Sequence, residues 1–494
     1  MNLFRTKSLD AIMRDTEDQG TALKRVLGAG DLIMLAIGAV IGAGIFSAIG
    51  TAAAGEVLPS GEVVRSGAGP ALILSFILLG GVCALAGLCY AELASMIPQA
   101  GSAYAYSYAT LGEFIAWIIG WDLILEYAIG NIAVAIAWSG YFVSMMSGFG
   151  VVFPAYLTHG YRTALLSSDP AVHALLDTAP KLAGIPFLIN IPAALIVLAI
   201  TWLLYIGVRE SARANNIMVV VKLIVLGVFV GLGAMHIDTA NYTPFAPNGW
   251  AGIHHGAAII FFAYIGFDAI STAAEETKNP QRNMPIGILG GLAICTVIYV
   301  IVGIVATGLV PYQQLRAADP LARALELAGL PIASWFVAFG AVISLSAVLL
   351  VFQYGQPRIF FAMGRDGLLP KWASKVHPKY RTPHVTTVVT GLVVALGSLF
   401  LDENEIYDLT NIGTLAAFIV VCIGVLVLRY KDPGRARPFR VPAVWLVTIG
   451  GASACFYVMK GLPTHAWERF GIWLAIGIAI YFLYGARHSK LRAQ

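Results

Sequence analysis

The chain has 494 residues, of which 58% are hydrophobic and only 12% charged, with a formal net charge of +4 and a mean hydropathy of +0.79. Soluble domains carry about a quarter charged residues, so there are too few charges here to cover a soluble core, and the class is a polytopic, all-α integral membrane protein. The apolar runs are long and continuous, which excludes a β-barrel, whose strands alternate over about ten residues. The basic residues lie scattered in short loops, which excludes nucleic acid as a partner.

The N-terminal segment 1–30 is polar and carries neither an apolar signal core nor a cleavage site. A bilayer core needs about 20 apolar residues per helix. Runs of that size occur near 31–54, 70–97, 113–148, 187–207, 213–235, 252–274, 286–309, 332–362, 384–401, 405–428, 440–460 and 468–485. That predicts about twelve transmembrane helices, the ninth and twelfth being the shortest runs. The first run contains AIGAVIGAGIFSAIG (36–50), where glycine crowds a helix at Gly38, Gly42, Gly44 and Gly50. The segment PQAGSAYAYSYATLG (98–112) lacks any basic residue, which predicts a piece packed against the bundle rather than a solvated loop. In the third run Asp122 and Glu126 share a face at i, i+4, with Asn131 further along as candidate interhelical glue. The loop 149–186 is polar and long enough for a short surface helix. The fifth run holds Lys222, and the sixth, AAIIFFAYIGFDAISTAAEE, is interrupted at Tyr264-Ile265-Gly266-Phe267-Asp268.

Lys and Arg concentrate in alternate connections: Arg5 to Arg25, Arg209 and Arg213, Lys278 and Arg282, Arg358 to Arg381, Arg429 to Arg440, and Arg487 to Arg492. The other connections hold only Arg65, Arg162, Lys181, Arg316, Arg323, Lys460 and Arg469. The positive-inside rule then places both termini in the cytoplasm, and the expected location is the cell membrane. All five cysteines sit in apolar runs without metal or disulfide spacing, and read as small core residues.

Two weakened spans, five helices apart, are the sequence pointer to a transporter with inverted repeats. Non-helical backbone at membrane depth is tolerated where it lines a cavity. Unwinding at Gly42-Ala43-Gly44 frees backbone N–H groups at the positive end of a half-helix, a site for a carboxylate. Unwinding near Ala263–Gly266 frees carbonyls, which suit an ammonium. Together they describe a receptor for a zwitterion such as an α-amino acid. The competing reading is that small-xxx-small spacing, as in Gly38-xxx-Gly42, only permits close helix packing.

A charge at membrane depth costs on the order of 3 kcal/mol by insertion scales, which makes Lys222 a functional candidate. Asp268 either caps the second half-helix or relays protons; Glu126 is the deeper acidic candidate for a gate or proton role, and Asp122 a residue that pairs near the inner end. Glu275, Glu276 and Arg282, with Lys278, form either an inner-gate ion-pair network or an ordinary solvated helix end. Phe262, Phe267 and Phe352 are candidates to set substrate size, with core or lipid-facing packing as the alternative for each. No catalytic constellation, metal-ligand spacing or P-loop is present, so no enzyme activity, cofactor or ATP coupling is expected.

The motifs IGAGIF (41–46), YAELASMIPQAGSAYAYSYATLGEFIAWIIGWDLILEY (90–127), FFAYIGFDAISTAAEETKNPQRNMPIGI (261–288), GRDGLLPKW (364–372) and LTNIGTL (409–415) resemble the amino acid–polyamine–organocation superfamily of permeases, most of all its cationic amino acid transporter branch and bacterial relatives. The resemblance implies a LeuT-type 5+5 inverted repeat with discontinuous helices 1 and 6. The repeats would be 31–235 and 252–428, followed by two peripheral helices in 440–485 and a cytoplasmic tail, 486–494. It implies that Ile41, Gly42, Ala43 and Gly44 hold the substrate carboxylate and part of the amine through backbone atoms, and that Phe262, Ala263 and Ile265 offer carbonyls to the amine. Ala43 stands where relatives often have Ser or Thr, so its contact would be through the backbone alone. Similar proton-using permeases place a lysine at the position of Lys222, which either exchanges a proton or stands as a fixed tether on the unwound carbonyls of the first span. By analogy Phe352 lies close to the substrate side chain. The implied function is secondary active transport of amino acids by alternating access, as proton-coupled symport of small neutral amino acids. The alternatives are an amino acid or polyamine exchanger, a cationic amino acid carrier and, more remotely, a channel.

Overall fold

The computed structural model describes residues 3–7, 27–97, 101–206, 212–380 and 382–492. The protein is mostly helical, at 76%. Its principal helices are α1 (Ala29–Val40), α2 (Ile49–Ala54), α3 (Leu72–Met96), α4 (Ser102–Thr110), α5 (Glu113–Gly148), α6 (Ile191–Ile206), α7 (Ala212–Ala234) and α8 (Gly249–Ile260). They continue with α9 (Pro280–Leu309), α10 (Pro320–Leu327), α11 (Pro331–Arg365), α12 (His384–Phe400), α13 (Glu403–Lys431), α14 (Val444–Met459) and α15 (Thr464–Ile480). Among the described residues, seven helices are long and apolar enough to cross a bilayer, and α1 with the Gly44–Ala54 stretch makes an eighth, bent by 46°. Shorter apolar helices are α6, α12 and α14.

Helix α5 runs through the middle of the bundle, against α11 and α13, while α9 packs on α3 and α1, and α6 on α12. Apolar side chains pointing outward, such as Ile77, Trp202, Ile332, Leu396 and Leu483, are exposed, as a helix bathed in lipid requires. Every residue of α4 is buried, in keeping with the packed segment expected between the second and third runs. The 149–186 loop carries four short helical turns and a small hairpin. A second hairpin, β1 (Gly55–Val57) with β2 (Val63–Ser66), follows α2; nothing in its sequence pattern announced it. All five cysteines are free and buried.

Both chain ends reach the same end of the bundle. The Lys7 ammonium lies 3.4 Å from the Asp366 carboxylate, and the Lys490 N–H donates to the Asp366 carbonyl at 3.1 Å. Lys431, at the end of α13, donates to the Thr110 carbonyl at this same end (3.2 Å), so the first turns of α13 lie at the opposite one.

Candidate functional site

The first break begins where Ile41, whose N–H still bonds the Ile37 carbonyl at 3.0 Å, turns to an extended conformation (φ −74°, ψ 97°). A new helix starts at once, because the Gly42 carbonyl accepts from Ile45 and Phe46 at 3.2 Å each. The N–H groups of Gly42, Ala43 and Gly44 thereby occupy helix-start positions that a helix cannot satisfy internally. The carbonyls at the end of α1 have the opposite problem, and side chains solve it. The Lys222 ammonium donates to the Gly38 and Ile41 carbonyls at 2.8 and 2.9 Å. The Tyr299 hydroxyl lies 2.9 Å from the Val40 carbonyl and 2.7 Å from that of Ala263. With one proton, it donates to one of them at a time.

The second break follows α8. Phe261–Tyr264 form a 3-10 turn, Gly266 adopts a positive φ of 114°, and the chain resumes as a 3-10 stretch over Asp268–Glu276. Only glycine takes that φ without strain. The two breaks touch. A Cβ added to Gly44 would sit 2.1 Å from the Ala263 Cα, and one on Gly266 would sit 2.9 Å from the Ala39 carbonyl oxygen. Main chain thus meets main chain at mid-bundle, where a side chain on either glycine would force the breaks apart. At the end of the bundle nearer the termini, Leu27 N–H donates to Glu276 O at 3.0 Å and Lys278 N–H to Leu27 O at 2.8 Å, joining the other ends of the two broken elements.

Beside the breaks is a cavity of about 10 Å³, room for roughly one water, lined by Glu126, Tyr127, Ile265, Asp268, Phe352 and Ala39 among others. The site is therefore closed around itself in this conformation. Of the residues singled out in the sequence, Glu126, Asp268, Ile265 and Phe352 come together on this cavity. Gly44 and Ala263 form the contact between the breaks, and the Ile41 carbonyl is held by Lys222. Gly42 faces the Val348 side chain; Ala43 is buried next to it. Phe262 packs its ring on Tyr407, with centroids 4.6 Å apart. Phe267 turns away, into an aromatic cluster with Tyr90 and Phe418.

Asp268 is the first residue of its 3-10 stretch, behind Phe267 at the N-cap position. Asp122 is buried, and neither of its oxygens has a partner among the described residues; the pairing expected near the inner end is replaced by contact with the bare backbone of Gly413. The Asn131 amide likewise has no partner among the described residues. The Glu275 side chain lies outside the described residues. Among the described residues no ion pair joins Glu276 to Lys278 or Arg282, and the link there is the main-chain bonding through Leu27. Tyr299 and Tyr407 escaped the sequence reading. The one usable signal was the tyrosine hydroxyl in the apolar run TVIYVIVG, since such a group in lipid needs an acceptor.

Comparison with known proteins supplies the family. Residues 27–483 match the amino acid permease family. The chain is 45% identical over 490 residues to the methylthioribose transporter of Bacillus subtilis (strain 168), covering 99% of both chains. It is 43% identical over 492 residues to the branched-chain amino acid permease BcaP of the same organism, again 99% of both. It is 36% identical over 440 residues to the vacuolar cationic amino acid transporter 4 of Arabidopsis thaliana, covering 87% of this chain and 68% of that one. Family match and end-to-end identity together establish that this multi-pass membrane protein belongs to the amino acid permease family.

Proposed function

We propose that the protein is a secondary active transporter that carries small neutral amino acids into the cell by alternating access, coupled to protons. The observation that carries this reading is the meeting of two broken helices at mid-bundle. One offers helix-start N–H groups and the other main-chain carbonyls, an arrangement matched to a carboxylate and an ammonium on one molecule. In this reading twelve spans divide into two inverted five-helix repeats and two further helices. Both termini at one end of the bundle agree with an even number of spans, and the excess of Lys and Arg at that end supports reading it as the cytoplasmic one.

Gly42, Ala43 and Gly44 receive the carboxylate, and the carbonyls of Ile41, Phe262, Ala263 and Ile265 receive the amine. Because Tyr299 already touches the Ala263 carbonyl, an incoming ammonium takes that acceptor over and leaves the hydroxyl to Val40. Lys222 holds the end of α1 while charged and releases it when it gives up its proton, which links protonation to the shape of the first break. Glu126 and Asp268 pass protons beside the cavity. Glu276 and Arg282, with Glu275, act at the inner gate. Phe352, against Tyr127 with ring centroids 5.5 Å apart, limits side-chain size. The names of the two bacterial relatives, a methylthioribose transporter and a branched-chain permease, favour an uncharged substrate.

A second reading is favoured by one observation: two carboxylates, Glu126 and Asp268, line the same small cavity, which suits a cationic side chain. Reconstituted vesicles separate the readings. Saturable uptake of valine or alanine driven by an inward proton gradient supports the first. Uptake confined to arginine or lysine supports the second. Uptake that needs internal amino acid means exchange, and non-saturating conductance means a channel. Methylthioribose belongs in the same panel, since a sugar without carboxylate or ammonium would bind without the zwitterion contacts. A ligand at a hundred times its Kd stabilises the folded protein by about 2.7 kcal/mol, so a thermal-shift screen finds the substrate first.

A further inference from the structure

We infer that the first two turns of α13 are the external latch of the substrate route, and that Arg65 on the β1–β2 hairpin is its bolt. The inference rests on the alternating-access reading and adds the parts that open.

Helix α13 starts at Asp402, whose side chain accepts from the Asn404 N–H at 3.0 Å. It then presents Glu403, Asn404, Glu405 and Asp408 in quick succession, and each is taken by a different part of the chain. Ser47, in the half-helix after the first break, donates to Glu403 at 3.1 Å, and Thr51 of α2 donates to Asn404 at 3.0 Å. Arg162 of the 149–186 loop and Arg469 of α15 both reach Glu405, at 2.5 and 2.7 Å. Arg65 reaches Asp408 at 2.5 Å. On the same two turns, Tyr407 lies over Phe262 of the second break. One stretch of helix therefore touches both broken elements from the side opposite the termini.

The burial of the pairs ranks them. The side chains of Arg162 and Arg469 are 36% and 40% exposed, where an ion pair contributes little. Arg65 and Asp408 are each 2% exposed. A buried pair is close to all-or-none, because removing one partner strands the other's charge. Burial alone would favour a neutral guanidine, yet Asp408 and Glu56 outweigh it and raise the Arg65 pKa above its ordinary value.

Permanent closure would be met as well or better by apolar packing. Charges suit a joint that separates, since water solvates both halves once they part. Glu56 completes the device. It accepts from Arg65 Nε and Nη2 at 3.0 and 2.7 Å and sits on the same hairpin. When Asp408 leaves with α13, Arg65 keeps a carboxylate and is not left bare. His465, with Nε2 3.8 Å from Asp408, stands on the other flank of the joint.

The test uses the full chain in right-side-out vesicles, with Thr51→Cys as reporter under the latch, a membrane-impermeant thiol reagent outside, and valine as the probe amino acid. The parent is expected to label slowly and to change rate when valine is added. Arg65→Gln should raise the rate about tenfold or more, as the loss of one partner of a buried pair implies. Arg65→Lys should fall between them, and Arg162→Gln should do little. Asp408→Asn, nearly isosteric, is the second variant if Arg65→Gln does not accumulate. A parent that responds to valine, with Arg65→Gln or Asp408→Asn folded by thermal unfolding yet labelling at the parent rate, overturns the latch. A parent indifferent to valine, and equally to arginine and methylthioribose added in its place, strikes the alternating-access reading itself, and the latch with it.

Discussion

Gly44→Ala is the substitution that most directly probes the contact between the two breaks. The added Cβ would sit 2.1 Å from the Ala263 Cα and 2.5 Å from its Cβ and N. Carbon atoms in contact prefer about 3.5–4.0 Å, so the two main chains must part by more than an ångström. No flexible side chain is there to yield. Overpacking of this kind costs about 1–3 kcal/mol, and backbone against backbone belongs at the upper end. Parting the breaks also moves the Tyr299 hydroxyl away from one of its two carbonyls, which adds little, since its single proton stays with the other. The expected cost is therefore about 3 kcal/mol. Gly42→Ala is the matched control: its Cβ would meet only the Val348 methyls, at 3.2 and 3.3 Å, and a valine side chain gives by a few tenths of an ångström. Thermal unfolding in detergent, with uptake measured on the same preparations, is the assay. Gly44→Ala should melt well below wild type and lose transport, with Gly42→Ala much closer to wild type in melting. Gly44→Ala melting and transporting like wild type, or Gly42→Ala lowering the melting temperature more, would refute the packed-break geometry.

Other substitutions test the remaining parts of the site. Lys222→Met removes two charge-assisted hydrogen bonds, each about 1.5–3 kcal/mol; gradient-driven uptake in vesicles should fall at least about tenfold and lose its dependence on the proton gradient. Unchanged proton-driven uptake would end the coupling role. Tyr299→Phe deletes a hydroxyl shared by two carbonyls, at about 1 kcal/mol, and should change substrate affinity about fivefold while the protein still folds; isothermal binding measures it. Phe352→Ser removes a ring that lies 3.3 Å from a Cβ built on Gly130, and should admit bulkier amino acids in competition assays. An unaltered substrate range would take Phe352 out of the pocket.

Much of the site was legible because its signals are violations of a simple rule. A bilayer asks for uninterrupted apolar helix, so Gly42-Ala43-Gly44, the interruption at Gly266-Phe267-Asp268 and the charge of Lys222 each stood out against their runs. The contact of Lys222 with the end of α1 was foreseeable, since a lysine at that depth needs acceptors and the first break frees carbonyls. A carboxylate near the inner end of its span is expected to pair, as for Asp122; only the placement of Gly413 against it made room for one without a partner among the described residues.

The amino-acid sequence by itself determined the membrane class, the apolar runs and the two places where helix gives way, because lipid penalises local departures that one stretch of chain displays alone; of the twelve expected spans, seven, or eight with the bent pair, are long and apolar enough to cross among the described residues. The tertiary structure decided what those departures meet: Gly44 on Ala263, Tyr299 between two carbonyls, Arg65 on Asp408. The partners in those contacts stand far apart along the chain, from Gly44 to Ala263 and from Arg65 to Asp408. A hydrogen bond or a close approach depends on distances of a few tenths of an ångström that only the packed bundle sets.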